Sequence, residues 1–77
     1  MEEFKIWLCN NKKYTERSAR DVCSRLKRVC IILGQENVEN CNIDDLKSNE
    51  DFKELTMSVR SQLRKSERLF FEYKDRD

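Results

Sequence analysis

One glycine and no proline occur in seventy-seven residues, and this scarcity of chain-breaking residues limits the fold more than any other feature. An all-β chain needs Gly- and Pro-rich turns at frequent intervals, which this sequence does not provide, whereas long helices need few. The expected fold class is therefore all-α. The length allows one domain, residues 1–77, with a single small core, because a chain of this size buries a smaller share of its surface than a larger one. With 38% hydrophobic and 40% charged residues the core is modest and the surface dense in both signs of charge. No internal repeat or low-complexity stretch interrupts it.

Hydrophobic spacing places the helices. Phe4, Trp7 and Leu8 fall at helical intervals between Glu2 and Asn10 and predict a short first helix, with Trp7 as a core residue, before the polar run Asn10-Asn11-Lys12-Lys13 breaks the pattern. Thr15 and Glu16 read as a helix start, and from Ala19 the residues Val22, Cys23, Leu26, Val29, Cys30 and Leu33 recur at steps of three and four. Gly34 follows the last of these, where a left-handed cap favours a residue without Cβ. The stretch from Gln35 to Cys41 is polar and reads as a connection. Asn42 then caps a short helix that carries Asp44 and Asp45 in its first turn and reaches Ser48. Phe52 and Leu55 are expected to reach the core from a connecting turn. A last helix, capped by Thr56 or Ser58 and running to about Lys74, buries a stripe of Val59, Leu63, Ser66, Phe70 and Tyr73, widened by Leu69. Phe71 falls off that stripe and is expected to be exposed. Four or five helices result, two long and the rest short.

The net charge of +1 conceals a segregation. From Lys12 to Arg28 seven basic residues stand against Glu16 and Asp21, and from Ser58 to Arg68 Arg60, Arg64, Lys65 and Arg68 stand against Glu67 alone. From Glu36 to Glu54 seven acids oppose Lys47 and Lys53. On the last helix Arg60, Arg64 and Arg68 repeat every four residues, a spacing at which like charges cost a helix a few tenths of a kcal/mol per pair, roughly. Folding alone gives no reason to align them, but an anionic partner does. Arg17, Arg20, Ser24, Lys27 and Arg28 form a comparable polar face on the second helix, with Lys12, Lys13 and Tyr14 in the loop before it. Two basic helices on one core can offer phosphates a continuous positive surface, and arginine can also read guanine edges.

Catalytic chemistry finds little support. Histidine is absent, which removes the commonest general base. Cys9, Cys23, Cys30 and Cys41 contain no C-x-x-C pair for zinc, and Cys23 and Cys30 occupy core positions of a helix, so buried thiols are expected and no metal or other cofactor is. Adjacent Asp44 and Asp45 point in different directions on a helix and serve its dipole. No glycine-rich loop exists to cradle a phosphate. No apolar run approaches a membrane span, and the acidic start Met1-Glu2-Glu3 is unlike a secretory signal, so the expected location is the cytoplasm.

The order of elements resembles the N-terminal core-binding domain of tyrosine recombinases, the phage-integrase family, a SAM-like helical domain. Phe4, Trp7 and Leu8 match the F-x-x-W-L character of that family's first helix. Ser18, Ala19, Val22 and Leu26 fill the places of T-hydrophobic-x-x-Y-x-x-x-L in its second, with valine where the family has tyrosine and serine where it has threonine. Ser58, Arg60, Leu63, Arg68, Phe70 and Phe71 follow the pattern of its last helix. The resemblance implies a small orthogonal four- to five-helix bundle that forms one half of a C-shaped clamp, laying its second and last helices across the major groove. It implies duplex DNA as the partner, with Lys12, Lys13, Arg17, Arg20, Ser24, Arg60, Ser61, Arg64 and Arg68 as contacts, to which the charge pattern adds Lys27, Arg28 and Lys65. The family's catalytic domain, with its Arg, Lys, His and Tyr residues, has no counterpart in these 77 residues, so the chain is expected to bind DNA without cutting it, as a monomer in isolation or beside the C-terminal catalytic domain of a parent protein. The competing expectation is a protein-interaction module that pairs its acidic segment with the basic helices of another copy or partner.

Overall fold

A computed structural model describes residues 2–75; Met1, Arg76 and Asp77 lie outside them. Five helices follow in order: α1 (Glu2–Asn11), α2 (Glu16–Leu33), α3 (Ile43–Ser48), α4 (Glu50–Lys53) and α5 (Met57–Lys74), with a 3₁₀ turn at Val38–Asn40 between α2 and α3. The all-α expectation holds, and the described residues contain no strand.

Each long helix starts where a threonine supplies the missing acceptor. Thr15 Oγ1 accepts from the Ser18 amide at 3.1 Å, and Thr56 Oγ1 accepts from the Val59 amide at 3.3 Å, so Thr56 rather than Ser58 is the cap of α5. At the far end of α2, Gly34 adopts φ 66°, ψ 31°, and the amides of Gly34 and Gln35 bond back to the carbonyls of Ile31 and Cys30. That closure turns the chain off the helix axis and needs the left-handed conformation glycine adopts freely. The loop into α2 makes a second left-handed turn at Lys13, φ 57°, where the sequence has no glycine to announce it.

Between α2 and α5 the chain is more ordered than its polarity suggests. Val38 is buried within the 3₁₀ turn, and the segment holding Phe52 is the one-turn helix α4 rather than a connecting turn. Asn49 accounts for the difference, because its side-chain oxygen accepts from the Phe52 amide at 3.0 Å while its Nδ2 donates to the Ile32 carbonyl of α2 at 3.4 Å. One residue both starts α4 and fastens it to the longer helix.

The apolar side chains gather in two clusters joined by α2. Phe4 and Leu8 of α1 meet Ala19, Val22 and Leu26 of α2 and Leu69 and Phe70 of α5, while farther along Val29 of α2 meets Leu46, Phe52 and Leu63. Phe4 stands edge-on to Phe70 at 5.4 Å between ring centres, and Tyr73 lies 5.3 Å from Phe4 and 5.6 Å from Trp7. Trp7 is therefore a half-buried rim residue packed on the first cluster rather than a fully enclosed one. Cys30 and Tyr73 are likewise half-buried. Phe71, expected to be exposed, is half-buried and edge-on to Phe70. Ser66 fits the stripe by returning its hydroxyl to the Gln62 carbonyl at 3.0 Å.

A Cβ at position 34 would meet nothing within 4 Å, so the cost of Gly34→Ala is backbone strain alone. We expect that substitution to lower unfolding free energy by about 1–2 kcal/mol, read as an earlier urea midpoint with unchanged slope.

Candidate functional site

Helices α2 and α5 make the most extensive packing contact in the bundle and carry most of the basic side chains proposed from sequence. The loop before α2 is held in place by charge. Lys12 Nζ bonds Glu72 of α5 at 2.6 Å and lies 5.7 Å from the centre of the Trp7 ring, so this lysine ties the loop to the last turns of α5. Lys13, next along, is exposed.

On α2, Arg17, Arg20, Ser24, Lys27 and Arg28 are all exposed, as their spacing predicts. Arg20 pairs with Glu16 one turn earlier at 3.0 Å; both side chains are largely in solvent, so the pair contributes about 0–1 kcal/mol and yields readily to another anion. On α5, Ser61, Lys65 and Arg68 are exposed and Arg60 and Arg64 half-buried. Arg64 donates to the Ser61 hydroxyl at 3.3 Å, and the Nε of Arg60 is shielded with no hydrogen-bond partner among the described residues.

The clefts show how these side chains are grouped. Lys65 shares a cleft of about 290 Å³ between α2 and α5 with Tyr14, Ser18, Asp21 and Arg25. Arg25 was not among the residues singled out from sequence, although its place four residues after Asp21 and seven after Ser18 puts it on the same flank of α2. Arg68 lies on the other flank of α5, with Phe71, in a cleft of about 480 Å³ whose far wall is the segment from Glu39 to Asp44. Lys27 borders a broad groove of about 1020 Å³ floored by Phe4, Val38 and Phe70 and edged by Glu36. The basic side chains thus face more than one side of the α2–α5 pair.

Ion pairs within the fold leave most of this charge uncompensated. Pairs form at Lys5–Glu2, Lys12–Glu72, Arg20–Glu16, Lys53–Glu50 and Lys74–Glu39. Among the described residues Arg17, Arg25, Lys27 and Arg28 of α2, and Arg60, Arg64, Lys65 and Arg68 of α5, make none.

The burial of Glu67 is not among the sequence expectations, whereas that of Cys41 agrees with the buried thiols expected. Glu67 is wholly enclosed and neither carboxylate oxygen has a hydrogen-bond partner among the described residues. Its spacing gave the signal: Glu67 lies one helical turn after Leu63 and directly follows Ser66, within the stripe. Burial first, and the nearby charge of Asp45 second, push its carboxyl above the ordinary value of 4.5. Cys41 is also enclosed, and burial together with its contact to Cys30 pushes its thiol up to about 12. All four cysteines are free thiols, with Cys23 and Cys41 buried and Cys9 and Cys30 half-buried. No group of three or more metal-ligating side chains is gathered among the described residues, and no helix is long and apolar enough to cross a membrane.

In comparisons with known proteins, the chain matches no family model, no curated protein and no solved structure.

A carboxyl whose folded value is raised is neutral in both states below about pH 4.5 and penalises the fold progressively as pH rises through its folded value. Glu67→Met, which keeps the volume and removes the charge, is expected to raise stability at pH 7.5 by about 1–3 kcal/mol, with the gain shrinking toward pH 4. Thermal unfolding of both proteins across that range checks it; parallel pH profiles would show that Glu67 meets no penalty.

Proposed function

We propose that this chain is a non-catalytic module that binds duplex DNA through α2 and α5, working in the cytoplasm as the clamp half of a tyrosine recombinase or integrase would. The observation that carries the reading is the set of arginines and lysines on those two helices that find no acidic partner within the fold. Unpaired cations on rigid helices gain free energy from phosphates, because each contact releases a counterion condensed on the duplex. Arg17, Arg20, Ser24 and Arg28 of α2 and Arg64, Lys65 and Arg68 of α5 supply the contacts, with Lys13 adding charge at the loop. Lys12 acts through its tie to Glu72, which fixes where that loop stands. Arg25 joins Lys65 in the cleft between the helices, where the two cations outnumber the single carboxylate of Asp21 and leave a net positive charge for a phosphate. Arginines reaching base edges would set sequence preference, while the lysines mainly add affinity. Duplex DNA, and the catalytic domain of a parent protein, are the partners this reading implies.

A second reading rests on a different observation. The segment holding Asp44 forms the wall opposite Arg68, so an acidic and a basic surface adjoin on one side of the bundle, and two copies could pair them reciprocally. Such a module would associate with itself as concentration rises and dissociate with salt.

Arg64→Ala combined with Arg68→Ala is expected to weaken binding of a labelled duplex by about tenfold or more at low salt and to reduce the slope of log affinity against log salt by about 2. Fluorescence anisotropy over a salt series measures both, and an unchanged circular dichroism spectrum shows the fold intact. Unchanged affinity would remove α5 from the interface; an apparent mass that climbs with protein concentration, with no response to DNA, would favour the second reading.

A further inference from the structure

Two thiols from different elements meet near the end of α2. Cys30 lies on the last full turn of that helix, Cys41 follows the 3₁₀ turn, and their sulphurs are 3.7 Å apart, with the Asn37 carbonyl 3.8 Å from Cys41 Sγ. No other pair of thiols is in such contact among the described residues. We propose that Cys30 and Cys41 are a site of reversible disulfide modification, whose reactant is the disulfide of a small thiol such as oxidised glutathione.

Geometry and access both support the assignment. Closing a sulphur–sulphur bond of about 2.05 Å asks the two side chains to draw together from ordinary contact. Cys41 can contribute to this movement because it sits in extended backbone, φ −85°, ψ 129°, rather than inside a helix where a shift would disturb several hydrogen bonds. Cys30 is half-buried and lines the broad groove, so a small molecule reaches it first, while Cys41 is enclosed.

The exchange then runs in two displacements. Cys30, having lost its proton, attacks one sulphur of the small disulfide, releasing one thiolate and leaving a mixed disulfide on Cys30. Cys41 loses its proton and attacks Cys30 Sγ, forming the internal bond and releasing the second thiolate. Two protein thiols are oxidised, one small disulfide is reduced to two thiols, and the two protons end on those thiols. The raised thiol of Cys41 makes the second displacement slow and makes Cys41 a poor leaving group when a reductant attacks Cys30. The bond is therefore slow to form and slow to open. It ties the end of α2 to the segment leading into α3, and does so independently of whether the module binds DNA.

The sequence provides a clean readout. No lysine or arginine lies between Val29 and Leu46, so trypsin yields a peptide ending at Lys47 that contains Cys30 and Cys41 but neither Cys9 nor Cys23. The whole protein, incubated with oxidised glutathione in non-denaturing buffer, is then unfolded in urea in the presence of iodoacetamide, so that the enclosed Cys41 is also reached, and digested. The expected peptide takes no alkyl group and is lighter by two hydrogens, regains both thiols with dithiothreitol, and comes from protein whose urea midpoint has risen. Cys41→Ser should stop at a glutathione adduct on Cys30. Two alkylated thiols after prolonged incubation, a lasting glutathione adduct in the unsubstituted protein, or an internal bond accompanied by an unchanged or lowered urea midpoint would each overturn the proposal, the last because the fold would have had to open to make the bond.

Discussion

Helix α2 is shared between two small cores, and the short elements around it have no independent means of staying folded. Its earlier turns, through Ala19, Val22 and Leu26, close the cluster built with α1, and Val29 farther along closes the cluster built with α3, α4 and α5. Isolated helices of four to ten residues are far below the length at which water tolerates them, so α1, α3 and α4 exist because their apolar faces dock on this spine. Helix α5 runs past both clusters, with Leu63 in one and Phe70 in the other. Truncating Leu26, which is fully enclosed, would therefore loosen more than its own contacts.

That dependence explains why the long helices were legible in the sequence and the middle of the chain was not. α2 and α5 announce themselves through apolar steps of three and four and through threonine caps, signals that come from the helix itself. The start of α3 was legible for the same reason, since Asn42 accepts from the Asp44 amide at 2.7 Å. Helix α4 and the 3₁₀ turn depend on tertiary partners instead: Asn49 reaches back to Ile32, and Val38 is an isolated apolar residue whose burial becomes apparent only when α1 and α2 are beside it. Single residues with no period around them carry no local signal.

The candidate surface divides along the same line. Which cations would be exposed on α2 followed from periodicity, because exposure is fixed by the face a residue occupies. Which of them would share a cleft did not, since that depends on how two helices are rotated against each other. Arg25 and Lys65 come together across the α2–α5 cleft, whereas Arg68, on the opposite flank of α5, opens toward Asp44. The meeting of Cys30 and Cys41 escaped notice likewise, since it depends on the turn at Gly34. Glu67 is the opposite case: its position was readable, but a single-sequence pattern treats a charged residue as surface by default.

The ties that α1 and the loop after it make to the end of α5 have a topological consequence. Lys12 bonds Glu72, and the hydroxyl of Tyr73 donates to the carboxylate of Glu3 at 3.4 Å, so residues near both ends of the described chain stand side by side. Joining segments that are already neighbours asks little loop-closure entropy. A short linker there would turn the bundle into a ring, and fresh ends could be opened in the polar connection after Gly34 while keeping every helix whole. In such a permuted chain α3, α4 and α5 would precede α1 and α2, and the same bundle could be hung from a neighbouring domain by its opposite side.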